Sequence, residues 1–425
     1  MSASGKVEID GLIGGLLVVL APAFLFPSRG RLWILAVFPA LFIARGVVYR
    51  RMVERTPFDW PIFLFLFQVL LTCFIVPDID KSLSKVVGAL YGVIVFYALT
   101  ALLKTRQRLK NGILAFVGGG TLFSIAGFLG MLTFTGKNMP ILASLKDALP
   151  HIDFRLPGAE DGFQPNAVGG SLLFFVPLIV VALLNSALKR PDDYGLDLIH
   201  RKNAVYLYAA FSFVAISVLV LTQSRGSWAG FLVALGLIVV PYVSEGGPRR
   251  AAQVVYILVI AAAVVGGYFT LSRTFRLPLP TTELSDKFTG RTVLWSLGLE
   301  KIGESPWTGI GLNQVRYDPA IGYKTAHLHN HYIHTAAEMG VPGLFALLSI
   351  LFGAGILCFR TWTRTPSRRM GWASLGLTAG LAGNAVFGIT DSIPVGSKTS
   401  FFFWVSLALI NGLYAWSRKT ERVRV

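Results

Sequence analysis

Apolar and polar positions along this chain fall into blocks. Mostly apolar runs lie near 10–26, 32–49, 59–76, 84–103, 112–134, 167–188, 203–222, 227–243, 252–271, 340–358, 372–389 and 400–416. A helix needs roughly 17–25 such residues to cross a bilayer core about 30 Å thick. Unpaired backbone amides cannot face lipid, so runs of this kind must be helical. The pattern predicts an all-α polytopic membrane protein, a single integral membrane domain over 1–425 with about twelve transmembrane helices. Two longer polar segments interrupt the blocks. One covers 135–166 and contains Pro140, Pro150, Pro157 and Pro165; the other covers 272–339, before the tenth span. Loops of that length in a compact protein usually carry function.

Composition agrees with the pattern. Hydrophobic residues make up 54% of the chain and charged residues only 14%. A soluble domain has roughly 25% charged residues. The net charge of +17 would point to nucleic acid in a soluble protein. Here the basic residues sit between apolar runs, so no nucleic-acid partner is expected. Arg45, Arg50, Arg51 and Arg55, then Lys104, Arg106, Arg108 and Lys110, occupy alternate connections, as do Lys189, Arg190, Arg201, Lys202, Arg249 and Arg250. Arg360, Arg364, Arg368 and Arg369 continue the series, and Arg418, Lys419, Arg422 and Arg424 end it. Connections rich in Lys and Arg face the cytoplasm. Both termini are therefore expected there, with the two long segments on the other side. The first run follows Lys6, Glu8 and Asp10 without a small-residue cleavage site and reads as a retained anchor. Cys73 and Cys358 suggest neither a disulfide framework nor a metal knuckle.

Chemistry-bearing residues concentrate on the outer side. Arg225 stands in Thr222-Gln223-Ser224-Arg225-Gly226-Ser227, a short break between spans seven and eight. It reads either as a snorkelling side chain or as part of an anion site, where a helix N-terminus and a guanidinium meet a phosphate. Arg291 opens an amphipathic stretch to Ile302, with Val293, Leu294 and Leu297 at helical spacing. It reads as a solvated charge or a second anion contact. Four histidines follow within His327–His334. On a helix, His327, His331, His334 and Glu338 would share a face, which makes a metal site conceivable. A zincin site is excluded, because Leu328 and Asn330 stand where its glutamate is needed. A catalytic or ligand-binding histidine is the stronger reading. Asp391, at the end of span eleven, reads as a cap, a partner for a basic group, or a contact to an acceptor hydroxyl.

Several of these pieces occur in a telling order. They are Asn166-Ala167-Val168-Gly169-Gly170, Gln223-Ser224-Arg225-Gly226-Ser227-Trp228, Gly290-Arg291 with Trp295, and Pro306-Trp307-Thr308-Gly309-Ile310-Gly311. His329-Asn330-His331-Tyr332 and Glu338-Met339-Gly340-Val341-Pro342-Gly343 complete the set. Together, on twelve spans with a long outer loop before the tenth, they resemble the O-antigen ligase and polymerase superfamily of bacterial envelopes. The resemblance implies a fold like that of the C-type membrane glycosyltransferases. It implies an inner-membrane enzyme with a periplasmic active site. The donor would be a glycan on undecaprenyl pyrophosphate, and the ligase acceptor a sugar hydroxyl of lipid A–core. No cofactor and no metal are implied. Catalytic roles would fall to His329, Arg225 and Arg291. Substrate contacts would involve both arginines, Asn330, Tyr332, Trp307 and Asp391. An O-antigen polymerase and a protein O-oligosaccharyltransferase remain as related alternatives. A lipid-linked sugar transporter is the non-enzymatic one, disfavoured because neither paired repeats nor midplane polar residues are evident. The sparse charge of the 135–166 segment favours a ligase over a polymerase.

Overall fold

The computed structural model describes residues 9–16, 37–134, 140–148, 159, 161–187, 201–244, 283–321, 326–364 and 368–422. These residues are helical with intervening turns, and no strand occurs among them. The helices are α1 (Val37–Tyr49), α2 (Asp59–Ile75), α3 (Ile79–Leu102), α4 (Arg106–Thr133), α5 (Pro140–Ala148), α6 (Pro165–Leu172) and α7 (Val176–Ala187). They continue as α8 (Arg201–Leu221), α9 (Arg225–Ser244), α10 (Glu283–Glu304), α11 (His331–Arg364), α12 (Arg368–Thr390) and α13 (Phe401–Arg422). Residues 9–16 are also helical.

Seven helices are long and apolar enough to cross a membrane, namely α3, α4, α8, α9, α11, α12 and α13. The pair α6–α7, bent by 41°, makes an eighth if taken as one span. Helices α1 and α2 are apolar but shorter. The run expected near 252–271 lies outside the described residues, and those near 10–26 and 32–49 lie only partly within them. Of the two long segments, 135–139, 149–158, 160, 272–282 and 322–325 also lie outside. The chain is a multi-pass membrane protein, as its surface confirms. Phe345, Phe352 and Phe359 recur every seven residues on α11, each more than 60% exposed. Phe74 on α2 and Phe213 on α8 are similarly bare. Water would not tolerate so much exposed apolar surface, whereas lipid does.

In lipid, helices associate by close van der Waals packing more than by the hydrophobic effect. Small residues supply that closeness here. A Cβ on Gly230 of α9 would lie 2.2 Å from the Gly383 carbonyl oxygen of α12. A Cβ on Gly92 of α3 would lie 2.2 Å from the Trp404 ring of α13. Asn384 donates to the Gly170 carbonyl at 2.9 Å and ties α12 to α6.

Helix α11 is longer than the run that announced it. It begins at His331, near the expected start of the span, 340, but nine residues earlier, and breaks at Gly340 (φ 69°, ψ 175°). Pro342 has no N–H, so the Glu338 carbonyl loses its helical donor. Val341 turns its N–H to the Pro306 carbonyl at 2.7 Å, which frees the Ala337 carbonyl as well. Both oxygens are satisfied from the preceding loop, by Ile310 N–H at 2.9 Å and Gly311 N–H at 3.0 Å. The Pro306–Gly311 motif is therefore stitched into the kink of the Glu338–Gly343 motif, and the carbonyls released by the kink regain partners. Gln68 of α2 donates to the Trp307 carbonyl and Ser82 of α3 to the Leu312 carbonyl. These bonds bind the loop to the mouth of the bundle.

At the opposite end, the buried Arg45 guanidinium pairs with Asp10 and Glu54 and donates to the Arg51 and Met52 carbonyls. Lys104 joins Glu54 at 2.8 Å. A charge so deeply buried persists only when fully paired.

Candidate active site

The polar groups at the loop-bearing end converge on Asp391. Its carboxyl is buried just past the C-terminus of α12. Oδ1 lies 3.1 Å from His327 Nε2, 3.2 Å from His329 Nδ1 and 2.9 Å from the Ser392 N–H, which donates to it. Oδ2 accepts from Asn166 Nδ2 of α6 at 2.7 Å. Burial pushes the Asp391 carboxyl up, but hydrogen bonds and charge from His327 and His329 outweigh it and hold the group well below its usual range. The site carboxylate is thus ionised, and both imidazoles are aimed at it.

His329 sits in the left-handed region, with φ 50°. A non-glycine residue there costs about 1–3 kcal/mol, and such conformations cluster at functional sites. The bond between Nδ1 and Asp391 fixes the ring. With Nδ1 donating to the carboxylate, Nε2 is left with its lone pair, the arrangement a general base requires. Asn330 holds the next position as the cap of α11. Its Oδ1 accepts from the N–H groups of Tyr332 and Ile333, each at 3.0 Å, and its Nδ2 donates to the Ile389 carbonyl. The Asn330 side chain is therefore engaged in positioning His329 between α11 and α12.

Arg225 is the first residue of α9 and also follows a left-handed residue, Gln223 (φ 50°). The buried Ser224 hydroxyl accepts from Ser227 and organises the helix start. The Arg225 guanidinium is exposed, with no hydrogen-bond or ion-pair partner among the described residues. Its neighbour Gly226 presses on α12, where a Cβ would meet Thr390 Oγ1 at 2.3 Å. The N-terminus of α9 therefore abuts the residue preceding Asp391. Arg291 lies half-buried on α10, one turn before Leu294. Leu294 shares an apolar cluster with Leu328, Val315 and Ala337. Leu328 separates His327 from His329, so α10 is clamped over the histidine loop. The expected amphipathic face is present, except that Val293 is exposed.

Other candidates take separate places. The Tyr332 hydroxyl donates to the Ala385 carbonyl at 2.7 Å. With His331 it borders an apolar cavity that runs along Phe65, Phe174, Leu347 and Trp404. The Trp307 ring projects outward, 72% exposed. His327, His331 and His334 do not share the helical face that their spacing suggested. His327 lies in the loop ahead of the helix, His331 faces Ser392, and His334 pairs with Glu338 at 3.4 Å. Ligand atoms of His327, His329 and Asp391 lie within 4.8 Å of one another, a donor set able to hold a cation. Asn166, which the sequence marked only as part of a motif, is a direct partner of Asp391. Its signal was the Asn166–Gly170 motif itself.

The fold and this cluster define a class: a helical, multi-pass membrane protein with a histidine–carboxylate site at one bundle end, beside an unpaired arginine. Residues 210–348, about a third of the chain, match a family model described as O-antigen ligase. The match supports the resemblance to the O-antigen ligase and polymerase superfamily read from the motifs, and members of the matched family are glycosyltransferase-like enzymes. No curated relative matches the chain.

Proposed function

We propose that the protein is an O-antigen ligase. It would transfer a glycan from undecaprenyl pyrophosphate to a sugar hydroxyl of lipid A–core, at the periplasmic face of the bacterial inner membrane. The observation that carries this reading is the His329–Asp391 pair beside the α9 N-terminus that bears Arg225. The acceptor oxygen attacks the anomeric carbon and the bond to the diphosphate breaks, with inversion at that carbon. The acceptor proton passes to His329 Nε2, while Asp391 holds the ring and offsets the imidazolium charge. The diphosphate leaves with increased negative charge, which Arg225 and Arg291 neutralise. Exposed Trp307 suits a sugar face.

Orientation is supported by charge. The end opposite the site gathers Arg55, Lys104, Arg418 and Lys419 around one cavity, and Arg360 and Arg364 end α11 there. Such an end faces the cytoplasm, so the site faces the periplasm. With the twelve spans expected from the sequence, both termini would be cytoplasmic. His327 and His329 share one carboxylate oxygen through hydrogen bonds, and that network accounts for the cluster without a cation.

Purified protein in proteoliposomes, given a polyprenyl-diphosphate-linked glycan, tests the reading. Three acceptors are offered separately: lipid A–core, a second lipid-linked glycan and a Ser/Thr peptide. Transfer to lipid A–core is expected. Transfer only to the second donor would make the protein a polymerase, and transfer only to peptide an oligosaccharyltransferase. Movement of the donor across the bilayer without any transfer would identify a transporter.

A further inference from the structure

A second cavity, of about 330 Å³ and lined by several charged side chains, opens at the end of the bundle opposite the histidine site. Ligand sites typically measure roughly 300–1,000 Å³. Its walls come from the connection before α2 (Glu54, Arg55 and Pro57), the end of α3 (Thr100, Leu103 and Lys104) and the end of α13 (Asn411 to Lys419). Four cations line it, against the single carboxylate of Glu54, which Arg45 and Lys104 already pair. Arg55 and Lys419 are exposed and have no partner among the described residues. Arg418 lies over the Tyr414 ring, 6.0 Å from its centroid.

The cavity is also built from inside. Asn411 is 5% exposed, lines the cavity, and has no hydrogen-bond partner among the described residues. The Thr100 hydroxyl, on the facing helix, is likewise buried without a partner. A buried hydroxyl left unsatisfied in a helical bundle is costly unless a ligand or water completes it. Donors below, cations at the rim, and Tyr414 and Trp416 alongside match a phosphate diester at a membrane surface. Basic pockets between helices on the cytoplasmic side bind acidic headgroups in this way.

We infer that this cavity binds the phosphodiester headgroup of an anionic glycerophospholipid from the leaflet opposite the catalytic site. Asn411 and Thr100 donate to the phosphate oxygens, and Arg55, Arg418 and Lys419 supply the positive field. The inference depends on the membrane reading of the chain and not on the identity of the glycan acceptor.

The full-length protein in neutral detergent is titrated with short-chain phosphatidylglycerol, phosphatidylcholine or soluble glycerol phosphate, and bound species are counted by native mass spectrometry. One tightly bound phosphatidylglycerol is expected, with phosphatidylcholine and glycerol phosphate at least tenfold weaker. The exposed pair Arg55→Gln/Lys419→Gln should weaken binding on the order of 30-fold, from the attraction of each cation near a charged surface. Arg106→Gln/Lys110→Gln removes equal charge from the same bundle end, outside the cavity, and should leave binding within threefold. Asn411→Leu should weaken phosphatidylglycerol binding about tenfold without a change in charge, by removing a donor to the phosphate. Equal weakening by both pairs would overturn the site in favour of diffuse attraction. Glycerol phosphate binding as tightly as the lipid would also overturn it, leaving a simple anion site. Unaltered binding in Arg55→Gln/Lys419→Gln would show that the cavity is not used.

Discussion

Asp391→Asn probes the centre of the proposed chemistry. The substitution keeps the size of the side chain but leaves one acceptor oxygen where there were two. In the native site one oxygen serves His327, His329 and the Ser392 N–H, and the other serves Asn166. If the oxygen of the new amide faces the histidines, its NH₂ faces the NH₂ of Asn166, and two donors collide. If that oxygen faces Asn166, the NH₂ points at His329 Nδ1 and drives that proton to Nε2, which blocks the base. In either orientation at least one charge-assisted bond is lost, about 1.5–3 kcal/mol. That corresponds to a kcat about ten- to 150-fold lower, with KM for the donor little changed. The assay is single-turnover transfer in proteoliposomes, with Tm measured alongside. Asn166→Asp/Asp391→Asn restores an amide–carboxylate pair but moves the charge away from the imidazoles. It should recover Tm and leave kcat low. Wild-type kcat in Asp391→Asn, within threefold, would refute the role assigned to the carboxylate.

Five further outcomes are expected. Arg225→Ala should abolish transfer yet shift stability by no more than about 0.5 kcal/mol, as for a surface side chain without partners; a large fall in Tm would show a structural role. Arg225→Lys should recover little activity, because an ammonium cannot clamp a diphosphate bidentately. Gly340→Ala should lower Tm by several degrees, since its φ is 69° and a Cβ would lie 2.7 Å from the Trp307 carbonyl; thermal unfolding in detergent measures it. Transfer should persist in EDTA, and loss restored by zinc would instead assign His327, His329 and Asp391 to a metal. Acid titration carries a definite sign: the folded-state value of Asp391 lies below its ordinary 3.8, so the group stabilises the fold above that pH and loses this contribution as pH falls below it. Tm should fall more steeply below about pH 4 in the wild type than in Asp391→Asn.

Much of the architecture was legible because lipid enforces a simple code. The apolar runs that became α3, α4, α8, α9, α12 and α13 were long and had charged ends, so length and Lys/Arg placement sufficed. The start of α11 was hidden by His331, His334 and Glu338, polar residues that a hydropathy pattern assigns to a loop. They enter the helix because His334 and Glu338 pair with each other and Glu338 also accepts from the Val315 N–H. Arg225 and His329 stood out as polar residues at helix boundaries. Asn166, the partner of Asp391, did not, since a short polar side chain in a glycine-rich stretch looks like packing. It reaches Asp391 across 225 positions of sequence, a separation that no local pattern encodes. The helical face predicted for His327 failed for a related reason. Asn330 caps α11, so the helix begins after it and His327 is free to turn toward Asp391.

The residues that resemble a family signature divide into two kinds of work. Pro306–Gly311 and Glu338–Gly343 satisfy one another's backbone groups around a proline kink, and Gly226 and Gly230 let α9 approach α12. None of these touches a reacting atom. The groups able to perform chemistry are fewer: the free guanidinium of Arg225, the half-buried one of Arg291, and the imidazoles at Asp391. Asp391 and Asn166 both lie outside the matched segment 210–348. The matched segment supplies His329 and both arginines, whereas the carboxylate that orients the histidine follows α12 and is itself held by α6. The loop that presents His329 is anchored to α2 and α3 through Gln68 and Ser82. Its geometry therefore depends on helices that carry no signature, and Gln68→Leu, distant from every reacting group, should lower kcat by displacing the base while the arginines stay in place.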